Sequence, residues 1–307
     1  MTVIETLLAT AVLAAIPVML AATGEAIGQR SGLLNLGVEG VMLLGAFVGF
    51  VVVEAGAGVA VGLTLGAITG AAVGAGFGLA ATRMSANQIV LGLGVAVAGQ
   101  GATGYFFRER FGSSQPLLDA SMSRPFAAYG DIPVIGPAVL EQRWFVYVAW
   151  LLVTVVGAWM RFGRPGLMLR AAGESPFATE AAGVDVNQVR MLAAVIGQAL
   201  VGLGGAALAL VEVGFFAPGM TVGVGFIAIA IAMAGRQRPL RIALLAIVFG
   251  LLRGSGTAIQ LTDFNVQTEF LEILPYAGVL VLVVLMGRHV RLPRALGIPY
   301  ERESRNA

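Results

Sequence analysis

Nine long apolar runs dictate what this chain can become. They fall at about 5–23, 33–53, 58–81, 86–107, 143–160, 191–213, 220–235, 240–258 and 270–287. A bilayer core about 30 Å thick needs about 20 apolar residues in a helix, and a backbone in hydrocarbon must satisfy its own hydrogen bonds. The runs therefore predict an all-α integral membrane protein with about nine transmembrane helices. The run at 220–235 is short and reads as a broken helix. Composition agrees: 12% of residues are charged, against about a quarter in soluble domains. Residues 1–307 read as a single transmembrane domain. Residues 1–23 lack a basic start and read as a first span, not a cleaved leader.

The arginines orient the spans. If the tail is cytoplasmic, fourteen arginines lie inside, and only Arg108, Arg110, Arg124 and Arg143 lie outside, with Arg253 left within a span. Cytoplasmic loops carry the excess of basic residues, so the N-terminus is expected outside and the C-terminus inside. All 19 basic residues are Arg. Without Lys there is no P-loop lysine and no Schiff base, so the chain cannot hydrolyse ATP by the usual route. Without Cys there are no disulfides or thiolate metal sites. The one His, His289, sits among arginines after the last run and reads as a surface residue. The basic residues at span ends serve topology and imply no nucleic-acid partner. No metal-ligand cluster or catalytic constellation is apparent. GVGFIA at 223–228 fits a loose dinucleotide pattern, but no strand precedes it, so it is set aside.

Several patterns predict packing. Gly58, Gly62, Gly66, Gly70, Gly74 and Gly78 recur every four residues, which makes a groove where a second helix can approach closely. Trp144, Trp150 and Trp159 all fall on the run 143–160, marking it as lipid-facing. The outer loop 108–142 contains Pro116, Pro125, Pro133 and Pro137 and reads as a compact surface structure, either a lid or a partner contact. SGLLNLGVEGVMLLGAFVG at 31–49 overlays PGMTVGVGFIAIAIAMAG at 218–235. With the orientation above, this makes an inverted repeat: repeat one at about 5–107, a connector span at 143–160, repeat two at about 191–287 and a tail at 288–307.

The loop 161–190 is a polar island. Ser175 is placed to cap a short helix, Pro176 suits its first position, and Gly183 suits the left-handed residue after it. Asp185 and Gln188 have capping-box spacing for the next helix. Such a helix can dock on a soluble motor subunit, or it can simply cover the bundle.

Four polar clusters lie at membrane depth or close to it. Glu25, Arg30, Asn35 and Glu39 surround the break between the first two spans, with Glu39 expected near the inner end of its helix. Glu39 can bind Arg30 and lock the break, or it can line the inner gate. Asn87 and Gln88 can meet sugar hydroxyls or base edges, or cap a helix. Glu212 stands alone near a span end. Arg253, with Ser255, Thr257 and Gln260, must pair, snorkel or face water, and Glu212 is a conceivable partner. Asn35, Glu39, Asn87, Gln88 and Arg253 are the candidate substrate-path residues.

With the break GQRSGLLNLGVEGVMLLGA, the loop RAAGESPFATEAAGVDVNQVR and the segment GVGFIAIAIAMAGRQRP in view, the chain resembles permease subunits of bacterial ABC importers. The group includes branched-chain amino acid, ribose and nucleoside permeases, and the NLGVEG wording looks most like the nucleoside and simple-sugar branch. The resemblance implies a type II ABC importer permease fold in the bacterial cytoplasmic membrane. It also implies a second permease subunit, two cytoplasmic ATPase subunits that bind the ATP, and an extracytoplasmic substrate-binding protein. The permease itself needs no cofactor. Glu174, Ser175, Pro176, Phe177, Ala178, Thr179 and Gly183 match the family's ATPase-coupling loop. The alternatives are a branched-chain amino acid permease and an ion-coupled secondary transporter. Acids or His near the midplane would favour the secondary transporter, whereas the charges here cluster at span ends.

Overall fold

The computed structural model describes residues 2–118, 122–130, 132–260, 267–287 and 291–300. The described residues are helical: α1 Val3–Ser31, α2 Val38–Glu54, α3 Val59–Arg83, α4 Gln88–Phe111, α5 Trp144–Phe162, α6 Arg164–Glu174, α7 Pro176–Ala181, α8 Val186–Ala207, α9 Val224–Ala234, α10 Pro239–Gln260 and α11 Thr268–Gly287. α8 continues through a π-helical turn to Val213. No strand occurs among them, and a single antiparallel bridge joins Leu117 to Phe215. Each predicted apolar run falls on one helix. Among the described residues, six helices are long and apolar enough to cross a membrane: α1, α3, α4, α5, α8 with its continuation, and α10. At 1.5 Å per residue, the 17 residues of α2 and the 11 of α9 fall short of a full crossing. His289, Arg288, Arg302 and Arg305 lie outside the described residues.

Helix ends follow local chemistry. Thr2 and Glu5 form a reciprocal capping box at the start of α1. The Asp185 carboxylate accepts from the Gln188 N–H at 3.0 Å and starts α8, as its spacing predicts. Ser175 does not cap α7 with its side chain. Its backbone is extended, and its carbonyl instead accepts from the Thr179 hydroxyl at 2.8 Å. Gly183 closes α7 in the left-handed conformation, with φ +85°.

The core is a set of close helix crossings. The glycine row of α3 lies against α8, as the four-residue repeat predicts. A Cβ on Gly70 would sit 2.9 Å from the Gly202 backbone nitrogen, and one on Gly202 would sit 2.9 Å from the Gly70 Cα. Only that face of α3 is buried; Val61 and Ile68 on its other side are about half exposed. α10 packs along α1 in the way α3 packs along α8, and α1 crosses α8 at Gly24 and Gly197. α5 buries Phe145, Ala149 and Val153 and exposes Leu151 and Val155, so one side faces outward. Its tryptophans are half-buried against the core. The loop before α5 is compact, with a π-helical turn at Gly136–Leu140 and the Gln142 amide donating to the Ala9 carbonyl at 3.2 Å.

Candidate functional site: two chain breaks that meet at Glu39

α1 ends at Ser31, and Gly32 reverses the chain at φ +94°. The chain does not leave the bundle there. Residues 33–37 climb back beside α1 with Leu33 and Asn35 buried. Their backbone is not helical, so its N–H groups need partners that a helix would have supplied. Leu34 N–H donates to Gln88 Oε1 at 2.8 Å, Asn35 N–H to Glu25 Oε1 at 3.4 Å, and Gly37 N–H to Asn35 Oδ1 at 2.8 Å. α2 therefore begins level with Glu25, inside the bundle.

A second break enters from the other end. After Val213, Gly214 turns the chain at φ +86°, and residues 215–223 run back into the bundle with Phe216 and Thr221 fully buried. Val222 and Gly223 both adopt positive φ in a tight turn, and Tyr276 Oη donates to the Val222 carbonyl at 2.9 Å. α9 starts there and, with 11 residues, covers about 16 Å.

Glu39 joins the two breaks. Its Oε1 accepts from the Thr221 hydroxyl at 2.5 Å and from Gly223 N–H at 2.8 Å, and its Oε2 accepts from Gly225 N–H at 2.7 Å. These backbone donors are the orphans that any helix start leaves, and the positive end of the α9 dipole favours the carboxylate. Gly225 permits the approach, because a Cβ there would lie 2.5 Å from the Glu39 Cα.

This corrects one expectation. Glu39 does not bind Arg30, whose Nη2 donates to the Arg236 carbonyl at 3.3 Å. Glu39 does sit in the first turn of α2, as expected, although that turn lies inside the bundle. The re-entrant course of 33–37 lifts the start of α2 away from Ser31, and α9 spaces Gly225 about 16 Å from the Arg236 turn.

Below Glu39 lies a buried amide and acid network. Gln29 Nε2 donates to Glu25 Oε1 at 3.2 Å, and Gln237 Nε2 donates to Gln29 Oε1 at 3.4 Å. The second carboxyl oxygen of Glu25 and the amide nitrogens of Asn35 and Gln88 have no protein partner. They leave unused donors and an acceptor around the first break.

The other candidates separate by role. Asn87 is a helix cap: its Oδ1 accepts from Ile89 and Val90 N–H at 3.0 and 3.2 Å. Gln88 is buried and holds the first break through Leu34. Arg253 pairs with Glu212 at 3.1 Å, which gives both charges a partner, and shares no bond with Asn35, Glu39 or Gln88. Thr257 and Gln260 side chains lie outside the description. Sequence reasoning missed Thr221, Gln29 and Gln237. Gln29 had a signal, since it stands one helical turn beyond Glu25 on the same face. Thr221 and Gln237 had none, because their partners are far away in the chain.

The polar island forms a helical hairpin at the Ser31 end of the bundle. α6 buries Leu169, Ala172 and Gly173. Of the predicted coupling residues, Glu174, Ser175, Phe177, Ala178 and Gly183 are exposed, Pro176 is half-buried and Thr179 is buried. Phe177 is 51% exposed, an unusual position for a large apolar ring on a polar loop. Among the described residues, no group of three His, Cys, Asp or Glu side chains could hold a metal.

A multi-pass helical membrane protein with discontinuous helices meeting inside the bundle, and with no catalytic constellation among its described residues, has the build of a transport permease. The chain belongs to the family described as branched-chain amino acid transport system, permease component, whose model matches residues 7–287. It is an ABC importer permease subunit. It is 34% identical to the putative glucose ABC transporter permease protein TsgC13 of Haloferax volcanii, over 89% of this chain and 82% of that one. It is 29% identical to the guanosine ABC transporter permease protein NupQ of Bacillus subtilis, over 95% of each chain. It is 27% identical to the nucleoside ABC transporter permease protein NupC of Lactococcus lactis, over 92% of this chain and 93% of that one. No solved structure matches the chain.

Proposed function

We propose that this permease forms the path for a nucleoside across a bacterial cytoplasmic membrane, with two ATPase subunits docked on α7 from the cytoplasm. A second permease copy or paralogue completes the path, and an extracytoplasmic binding protein delivers cargo. The N-terminus is outside and the C-terminus inside, as the fourteen-to-four split of arginines favours. The fold is the type II importer arrangement with nine spans in an inverted repeat. Two features support that reading. α10 lies on α1 as α3 lies on α8, and the breaks at 32–37 and 214–223 enter from opposite ends.

The observation that carries the transport mechanism is the meeting of both breaks at Glu39. Broken helices leave backbone groups that only neighbouring elements satisfy, so a rigid shift of one repeat against the other exchanges those partners. The permease supplies no covalent chemistry. Asn35 and Gln88, with free amide donors, and Glu39 are the residues assigned to the path; Asn87 caps α4 and Arg253 is tied to Glu212. The nucleoside assignment is supported by near full-length similarity to the guanosine and nucleoside permeases. A simple sugar is the second reading, favoured by the identity with the putative glucose permease.

Reconstitution tests the proposal. Uptake of radiolabelled guanosine into proteoliposomes should require the ATPase subunits, the binding protein and ATP. Movement by the purified chain alone down an ion gradient would contradict it, and uptake of glucose but not guanosine would select the sugar.

A further inference from the structure

Residues 291–300, beyond α11, lie against the bundle. Ala295 N–H donates to the Gly173 carbonyl in the last turn of α6 at 2.9 Å. Gly297 N–H donates to the Gly32 carbonyl at the mouth of the first break, also at 2.9 Å. Tyr300 is buried with Ala172 and Val186, and its ring meets the edge of Phe177 at 5.2 Å between centroids. Six residues thus touch the coupling hairpin, the start of α8 and the break.

Arg190 fastens the same junction. It lies in the first turns of α8 and is 1% exposed. The ion pairs among the described residues, Arg110–Glu54 and Arg253–Glu212, do not include it. Two of its nitrogens donate to carbonyls, Nε to Ser31 at 3.1 Å and Nη1 to Ile298 at 2.9 Å, while Nη2 is buried without a hydrogen-bond partner among the described residues. The planar fork suits two fixed acceptors in a way a lysine ammonium does not. Gly32 leaves room for the fork, since a Cβ there would lie 2.7 Å from Nη2. A buried guanidinium is costly, and a lid over the hairpin would not require one.

We infer that Ala295–Tyr300 is a transmission strap, with Arg190 as its positioning residue. It carries movement of α7 to the break at 32–37. The inference rests on the docking role of α7 proposed above. Displacement of α7 moves Tyr300 through the Phe177 contact, and the strap moves Gly32 and Ser31 through Gly297 and Arg190. α8 offers a parallel route, since Val186 N–H donates to the Glu180 carboxylate of α7 at 3.2 Å, and a change at Tyr300 leaves that bond in place.

The experiment measures uptake per ATP in the reconstituted full transporter, together with co-purification of the ATPase subunits. Tyr300→Ala should leave co-purification and hydrolysis nearly unchanged while uptake per ATP falls about tenfold, the size of an ordinary coupling between sites. Arg190→Lys should lower the same ratio, because one ammonium cannot hold both carbonyls in the geometry of the fork. Unchanged uptake per ATP in Tyr300→Ala would overturn the strap. So would a parallel loss of assembly, hydrolysis and uptake, which marks a structural contact only. Phe177→Asp separates the two levels. If it still assembles with the ATPase, the docking role of α7 fails. If it blocks assembly while Tyr300→Ala transports normally, only the strap fails.

Discussion

Glu39 shows how a single side chain can hold two parts of a transporter in register. Three hydrogen bonds converge on its carboxylate from a segment 182 to 186 residues away. Hydrogen bonds to a charged group contribute roughly 1.5–3 kcal/mol each and are not additive. Glu39→Ala should therefore destabilise the permease by about 2–4 kcal/mol, with Glu39→Gln losing about half of that. A double-mutant cycle with Thr221→Val, read by unfolding in detergent, should give a coupling of about 1–2 kcal/mol, whereas the cycle with Arg30→Ala should give about zero. The reverse pattern would restore the Arg30 lock. The sequence made Glu39 visible as an acid at a helix start. Its partner was not legible, because nothing local in GMTVGVG announces that these N–H groups face a carboxylate from another break. Asn87 and Arg253 were the opposite case. Both alternatives were on view from residue type alone, and the structure adds a cap on Ile89 for Asn87 and a pairing with Glu212 for Arg253.

At the scale of elements, the sequence was most informative where periodicity is strongest. The glycine row on α3 predicted a close crossing, and α8 provides it. Gly70→Leu would drive a side chain into the Gln198 and Gly202 backbone, which cannot give way as a flexible side chain could. Overpacking of this kind costs about 1–3 kcal/mol and often more, so the variant should lose most of its thermal stability margin. Gly76→Leu, on an open position of the same helix, should change little. Equal losses in a thermal-shift assay would contradict the crossing. Helix ends were harder to read. Asp185 caps α8 as its spacing indicates, but Ser175 does not cap α7, because the turn from α6 leaves its side chain without an N–H to accept from. The lengths of α2 and α9 were also hidden. Hydropathy marks where a run is apolar, not where non-helical backbone re-enters the bundle at 33–37 and 215–223.

The whole molecule is a permease whose moving parts are joined by short polar contacts inside a tightly packed apolar frame. Glu39 links the breaks, Gln88 holds the first of them, and the α6–α7 hairpin presents Phe177 at the Ser31 end. The tail's return to that hairpin was not legible beforehand, since RLPRALGIPY carries no signal of the Gly173, Gly32 and Phe177 contacts it makes. The central claim is that a separate motor grips this chain at α7 from the cytoplasm. The chain contains no Cys, so a single Ser175→Cys variant can be labelled without background. With a membrane-impermeant maleimide, the account predicts labelling only after the cytoplasmic face is opened, and protection of the thiol when the ATPase subunits are bound. Labelling from outside intact cells, or labelling that the bound ATPase leaves unchanged, would contradict it.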